Sequence, residues 1–274
     1  MRIDAHHHLW RVDRGDYDWM PKDNAILNRD YAPADLAPIL RANGIDKAVI
    51  VQAAATVAET DHMLALADET DWIAGVVGWI DFEEPGQRAE LERLAKHPKF
   101  KGLRPMIQDI PDNDWMLRDD LAWAYGALTD LGLRFDALGF PRHLDTFHTL
   151  LTRHPDMPTV IDHCMKPDVA RQDIDRWAEG MARLARDTRA YVKLSGLVTE
   201  AAEHWAAEDL KPYVDHILEH FGPDRILWGS DWPVCRLRAE YDVWLGAAEA
   251  LTAHLDEDAR AAIFGGTAAR FYGL

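Results

Sequence analysis

The chain reads as an α/β protein, a (β/α)8 TIM barrel, and three observations carry that reading. Apolar, β-branched runs alternate with amphipathic helical stretches from end to end, eight times, at a spacing of roughly 25 to 45 residues, as parallel strands with helical crossovers require. The length of 274 residues suits one barrel domain over 1–274, since barrels of about 250 residues form single units. No glycine-rich phosphate turn follows the first strand, where an open doubly wound sheet would carry one; three histidines stand there instead.

Taken in order, the first strand is expected over Arg2 to His6 and runs into His6-His7-His8. Alternate side chains of a strand share a face, so His6 and His8 project together and His7 points into the wall. Further strands are expected at Lys47 to Gln52, Ile73 to Ile80, Lys101 to Met106, Arg134 to Ala137, Thr159 to His163, Tyr191 to Leu194 and Ile226 to Gly229. Between them, Ala34 to Asn43 stops at Gly44, Asp61 to Glu69 carries Met63, Leu64 and Leu66, and Asp119 to Leu131 stops at Gly132. Helices follow at Arg142 to Arg153, Ile174 to Asp187 and Ala207 to Phe221, then a long pair from Ala239 to Phe271. The stretch Leu9 to Tyr31 lacks periodicity and carries Trp10, Tyr17, Trp19 and Met20, so it is expected over the barrel mouth as a wall or lid. Its aromatic rings either face a ring-shaped ligand or pack the loop itself.

A net charge of −17 excludes the clustered basic face of a nucleic-acid-binding protein and disfavours acidic membranes. There is no apolar run of about 18 residues and no signal-peptide pattern, which reads as a cytoplasmic protein. Cys164 and Cys235 are too few for a disulfide framework and read as reduced packing residues. Oligomeric state is not legible.

In such a barrel, chemistry belongs at the carboxyl ends of the strands. The first ends in His6 and His8, the fourth in Gly102-Leu103-Arg104-Pro105, the sixth in Asp162-His163-Cys164 and the eighth in Gly229-Ser230-Asp231-Trp232-Pro233. Singly, Arg104 is equally an ion-pair partner, His163 a core histidine and Asp231 a helix cap. Polar residues at the same end of four strands are not explained one at a time. No Gly-x-Ser-x-Gly elbow surrounds a serine, so a serine esterase has no local support.

These residues resemble the amidohydrolase superfamily, within it the sugar-lactone hydrolases that include L-fuconolactonase and L-rhamnonolactonase. His-x-His after the first strand with Asp after the eighth is similar to the superfamily's signature, and Asp-His-Cys-Met-Lys-Pro and Lys-Leu-Ser-Gly-Leu resemble the lactonase branch. The resemblance implies an amidohydrolase-like, slightly distorted (β/α)8 barrel and hydrolysis of an ester-like or amide-like bond. Two-metal members use a carboxylated lysine after the fourth strand and a histidine after the fifth, where this chain has Arg104 and Leu133-Arg134-Phe135-Asp136-Ala137-Leu138; a binuclear centre is therefore not expected. What remains is a mononuclear site for zinc or manganese at His6, His8 and Asp231, with His163 as a further donor, or a reaction that dispenses with the ion.

The expected reaction opens a sugar-acid lactone by attack of water. Asp231 is the expected base, Arg104 polarises the carbonyl, His6 and His8 ligate a metal or donate directly, and His163 holds the carbonyl or leaving oxygen. Lys166, Asp81, Trp10, Trp115 and Trp232 are expected around the sugar. The rivals are a metal-dependent decarboxylase of the same superfamily and a non-catalytic sugar-binding barrel.

Overall fold

In the computed structural model, which describes residues 1–274, the eight apolar runs become β1 (Ile3–His7), β2 (Lys47–Val51), β3 (Ile73–Gly78), β4 (Phe100–Leu103), β5 (Arg134–Ala137), β6 (Thr159–Ile161), β7 (Tyr191–Leu194) and β8 (Ile226–Trp228). They pair in parallel in chain order, β1 to β8, in one sheet. The helices are α1 (Pro33–Ala42), α2 (Val57–Glu69), α3 (Arg88–Leu94), α4 (Ala122–Asp130), α5 (Leu144–Arg153), α6 (Asp175–Asp187), α7 (Ala207–Phe221), α8 (Tyr241–Leu251), α9 (Glu257–Ala261) and α10 (Thr267–Tyr272).

Several boundaries differ from expectation. β4 stops at Leu103 and β6 at Ile161, because the chain beyond each turns over the mouth. α2 starts at Val57 because Thr56 caps it, its hydroxyl accepting the Glu59 N–H at 3.1 Å. The seven-residue α3 was not expected, and the long carboxyl-terminal pair breaks at a π-type segment, Ala262–Gly266, between α9 and α10.

The strands are buried on both faces. Inside the barrel, Ile3, Ala5, Val49, Val51, Val77, Val160 and Leu227 pack with Ala268, Phe271 and Tyr272, so α10 plugs the amino-terminal end of the barrel. Outside, the sheet packs on the helices in a continuous apolar core. Register shifts in the first three strand pairs account for the distortion.

Closure between β1 and β8 is made beyond the end of β8. His7 and Trp232 form a parallel bridge, His8 N–H donates to Trp232 O at 2.7 Å, and Asp231 N–H donates to His6 O at 2.8 Å. The buried Asp4 carboxylate accepts the Ser230 and His6 N–H groups at 2.8 and 3.1 Å and the Tyr241 hydroxyl at 3.1 Å. His7 lies in the wall, its ring 5.5 Å from that of Trp72. Both cysteines are free and buried, and no helix is long and apolar enough to cross a membrane.

Glu59, in the first turn of α2, is buried and grips the loop after β2 by accepting the Ala53 and Ala54 N–H groups at 2.9 and 2.6 Å. Burial outweighs those bonds and pushes its carboxyl up to about 7. A carboxyl raised on folding favours the folded state while protonated and loses that advantage as pH rises through its folded pKa. Between about pH 5 and pH 8, wild-type stability is therefore expected to fall by about 2 to 3 kcal/mol relative to Glu59→Gln, read by urea unfolding of both proteins at both pH values. Equal pH slopes would show that the Glu59 carboxyl is not raised.

Candidate active site

At the carboxyl end of the barrel, the side chains of His6 and His8 emerge on one face of β1 and their Nε2 atoms lie 3.2 Å apart. Asp231 Oδ1 is 3.3 Å from His8 Nε2 and 3.8 Å from both His6 Nε2 and His163 Nε2. Arg104 Nη1 is 3.4 Å from His6 Nε2, and the guanidinium also donates to the Gln52 carbonyl while Gln52 Nε2 donates to Arg104 O at 2.6 Å. Thus residues from four strands come together at the barrel mouth: His8, Arg104, His163 and Asp231 line one open pocket of about 560 Å³ counted out to its mouth, and His6 lies fully buried behind them. Lys166 and Gln108 add polar groups to the lining, with Lys166 Nζ donating to Gln108 Oε1 at 2.6 Å; Trp19, Ala53, Met106, Leu138 and Val234 are its apolar residues.

Two backbone features aim these groups. After β6 the chain makes a left-handed turn of four consecutive non-glycine residues, His163, Cys164, Met165 and Lys166, with φ of 52°, 51°, 60° and 48°. Left-handed geometry costs about 1–2 kcal/mol per ordinary residue, so the surroundings must hold it. Trp177 Nε1 donates to Cys164 O at 2.6 Å, and Cys164 Sγ donates to Lys193 O at 3.2 Å. The turn carries both His163 and Lys166 onto the pocket wall. Gly196 lets it pass: a Cβ there would stand 2.7 Å from the His163 side chain. Gly229 likewise leaves room for His6, whose Cβ would lie 2.8 Å from an added methyl carbon.

Below the pocket lies a buried polar ladder. Lys193 Nζ, from β7, donates to Asp136 Oδ2 at 2.5 Å and to His6 Nδ1 at 3.0 Å, and forms an ion pair with Asp162 Oδ1 at 2.9 Å. Tyr272 donates from α10 to Asp136 Oδ2 at 2.8 Å. Asp162 also faces Arg104 Nη1 at 3.5 Å. Asp162 opens the Asp-His-Cys-Met-Lys-Pro run, whereas Asp136, inside β5, carries no distinguishing sequence signal.

The environment sets the charges. Burial, then Lys193 and His8, holds the His6 pKa well below its ordinary value, and burial does the same to His163. His8 is lowered by burial, although Asp231 opposes the shift. Burial works against an ionised Asp231, yet His163, His8 and Lys166 outweigh it and keep the carboxyl below its usual value. The site at neutral pH therefore holds an aspartate anion among neutral imidazoles.

The donor set suits a cation. His8 Nδ1 donates to Val51 O at 2.7 Å, which leaves the Nε2 lone pair facing the Asp231 carboxylate at 3.3 Å, an arrangement that a cation or a proton relieves. Ligands at zinc–nitrogen distances of about 2.0–2.1 Å stand roughly 3.3 Å apart around a tetrahedral ion, close to the spacings of His6, His8 and Asp231. Donor atoms of His6, His163 and Asp231 also all lie within 4.8 Å of one another. With Lys193 donating to its Nδ1, His6 carries its proton on Nε2 and joins an ion only on releasing it.

Other expected residues lie elsewhere. Trp10 is fully buried, its Nε1 donating to Leu27 O and Arg29 O at 3.2 and 2.8 Å, so it packs the loop. Trp232 is buried against Tyr31, with ring centroids 4.9 Å apart. Trp115 and Asp81 line a neighbouring cleft of about 770 Å³, and Trp115 Nε1 is taken by Glu83 Oε1 at 2.8 Å. Trp19 and Gln108 do line the pocket: the sequence names Trp19 among the aromatic residues of the Leu9–Tyr31 segment but not among those expected around the sugar, because loop packing decides which aromatic is left facing outward, and Gln108, in an irregular 3-10 turn, carries no sequence signal.

A parallel barrel with imidazoles after its first strand and a carboxylate after its eighth defines a protein built to activate a small ligand at its mouth. The chain matches the amidohydrolase family over residues 3–274 and belongs to it. It is 40% identical to an L-fucono-1,5-lactonase of Burkholderia ambifaria over 99% of this chain and 95% of that protein. It is 38% identical to an L-fucono-1,5-lactonase of Burkholderia multivorans, over 100% and 96%. A crystal structure of a Burkholderia multivorans amidohydrolase with bound zinc superposes with a TM-score of 0.95 at 37% identity, covering 100% of this chain and 99% of that one.

Removing the ladder's ammonium leaves two buried carboxylates facing each other. Lys193→Met is expected to lose about 3–5 kcal/mol of folding stability, measured by chemical unfolding; a loss under about 1 kcal/mol would show that Lys193 does not hold the ladder.

Proposed function

We propose that the protein hydrolyses a sugar-acid lactone, L-fucono-1,5-lactone or a related aldonolactone, to the open acid. The observation that carries this reading is the convergence of Asp231, kept ionised, on neutral imidazoles and the Arg104 guanidinium at the floor of one open pocket. Lactonase relatives near 40% identity over the full length support it.

Opening an activated ester needs a nucleophilic water, a base and stabilisation of the tetrahedral oxyanion. Asp231 Oδ takes the proton from water at the pocket floor and returns it to the departing ring oxygen. Arg104, fixed by Gln52 and Asp162, donates to the carbonyl oxygen as charge gathers there. His163, held through Nδ1 by Ser195 Oγ at 2.9 Å, turns Nε2 toward the same point and binds the carbonyl or the leaving oxygen. His6, buried behind the pocket, donates toward His8 and holds that ring in place. Lys166 with Gln108 receives the sugar hydroxyls.

One divalent ion, zinc or manganese, fits His6, His8 and Asp231, with His163 as a further donor; when bound it supplies Lewis-acid polarisation of a carbonyl or of water. The buried free thiols suit work in the cytoplasm.

Asp231→Asn is expected to reduce ring opening by about 10²–10⁴-fold with an unchanged unfolding transition, in a pH-indicator assay over an aldonolactone panel corrected for spontaneous opening. Turnover retained by that variant would remove Asp231 as the base. For the ion, elemental analysis after zinc loading is expected to find about one equivalent in the parent and far less in a His6→Asn, His8→Asn double variant. Equal contents would place any bound zinc elsewhere.

A further inference from the structure

We infer that Trp19 is the platform on which the sugar ring lies, a substrate-positioning residue of this pocket; the inference rests on the lactonase reading and deepens it. Trp19 is 38% exposed, and the other large apolar side chains exposed to that degree are Met1 and Val243. Its exposure falls at the mouth of the pocket that holds Asp231, His163 and Arg104. An indole left open to water at such a place gains by covering an apolar surface.

The ring is held. Trp19 Nε1 donates to Ala53 O at 2.6 Å, and its plane stands at 82° to Trp10 with centroids 5.8 Å apart. The Ala53 carbonyl is itself fixed, because the buried Glu59 carboxylate takes the N–H groups of Ala53 and Ala54. The loop is tied a second time where Thr56 Oγ1 donates to Asp16 Oδ2 at 3.1 Å, with Arg14 Nη2 on the same oxygen at 2.6 Å. A rigid aromatic face loses little entropy when a ligand settles on it.

The pocket lining is mixed. Lys166 and Gln108, joined to each other, offer a cation and an amide for hydroxyl groups, whereas Trp19, Ala53, Met106, Leu138 and Val234 offer no polar side-chain partner except an indole N–H already in use, and among these Trp19 alone presents a flat aromatic face. A pyranose-like lactone has both characters as well, with hydroxyls at its edge and C–H bonds gathered on a face. The ring's C–H face therefore goes to Trp19 and its hydroxyls to Lys166 and Gln108. Trp10, Trp115 and Trp232 are buried or turned to other partners, so the stacking role falls to Trp19.

The test compares the full-length parent with Trp19→Ala and Trp19→Phe in two assays. One is initial rates on L-fucono-1,5-lactone. The other is calorimetric binding of a polyhydroxylated δ-lactam, the same ring with N–H in place of the ring oxygen, which stays closed during the measurement. Trp19→Ala is expected to raise KM and weaken lactam binding about tenfold with kcat changed less than about threefold, while Trp19→Phe stays within about threefold of the parent. Trp115→Ala, in the neighbouring cleft, is expected to change neither. Unchanged KM and lactam binding in Trp19→Ala overturn the platform. A fall in kcat with KM and lactam binding kept also overturns it, since that marks a residue that only excludes water. If the parent binds the lactam but opens no lactone, the lactonase reading fails, and the lactam comparison alone decides the platform. A parent that binds no lactam and opens no lactone overturns both; in one that opens the lactone without binding the lactam, the KM comparison decides the platform.

Discussion

A parallel barrel has to join its last strand to its first, and here that joint and the reactive site are the same few residues. β8 ends at Trp228, one turn short of a regular ladder with β1, so closure falls to Ser230, Asp231 and Trp232 against Asp4, His6 and His8. The backbone bond from Asp231 N–H to His6 O brings the carboxylate beside both imidazoles. Asp4, whose carboxyl burial pushes up to about 6, supplies the acceptors that hold Ser230 and His6 in that alignment. Residues separated by more than two hundred positions meet here because the bonds that close the sheet run between them.

The joint alone would not orient the rings. His6 is approached from beneath by Lys193 and from the side by Arg104, and those cations are balanced by Asp136 and Asp162. Buried charges in such numbers are tolerable only when every one faces an opposite charge or a hydrogen-bond partner. Tyr272 extends the chain of contacts to α10, so the carboxyl terminus reaches through the barrel to the floor of the site. Asp162 is the pivot: Lys193 and Arg104 outweigh the burial that would neutralise it, and as an anion it keeps Arg104 aimed at the pocket.

How much of this was legible in the sequence follows from what each feature depends on. Strands such as Lys47–Val51 and Tyr191–Leu194 are short apolar runs, and their alternation with helices is a local property. His6 and His8 were legible because a strand's period of two is equally local, and Asp231 because it closes a distinctive run. The left-handed turn at His163–Lys166 was not, since none of its residues is a glycine and its geometry is imposed by Trp177, Gly196 and Lys193. The tryptophans failed for a related reason. Trp10, Trp19, Trp115 and Trp232 are alike as letters, and only tertiary packing decides that three are enclosed and Trp19 is not.

That sorting says something about how such a pocket varies. The groups that would activate water and carbonyl arise from strand ends and are locked by closure and by the ladder, so a change in any of them is felt through the barrel. The groups that would meet the rest of a sugar ring, Trp19, Gln108 and Lys166, come from the segments that follow β1, β4 and β6 and touch the barrel mainly through backbone atoms or one another. Substitution of Trp19 or Gln108 alters shape and hydrogen bonding at the mouth while leaving the floor intact, whereas Lys166 also helps to keep Asp231 ionised. On the proposed placement of the sugar, stereochemical preference among lactones would be separable from the ring-opening machinery at Trp19 and Gln108 but not at Lys166, because Lys166 serves both.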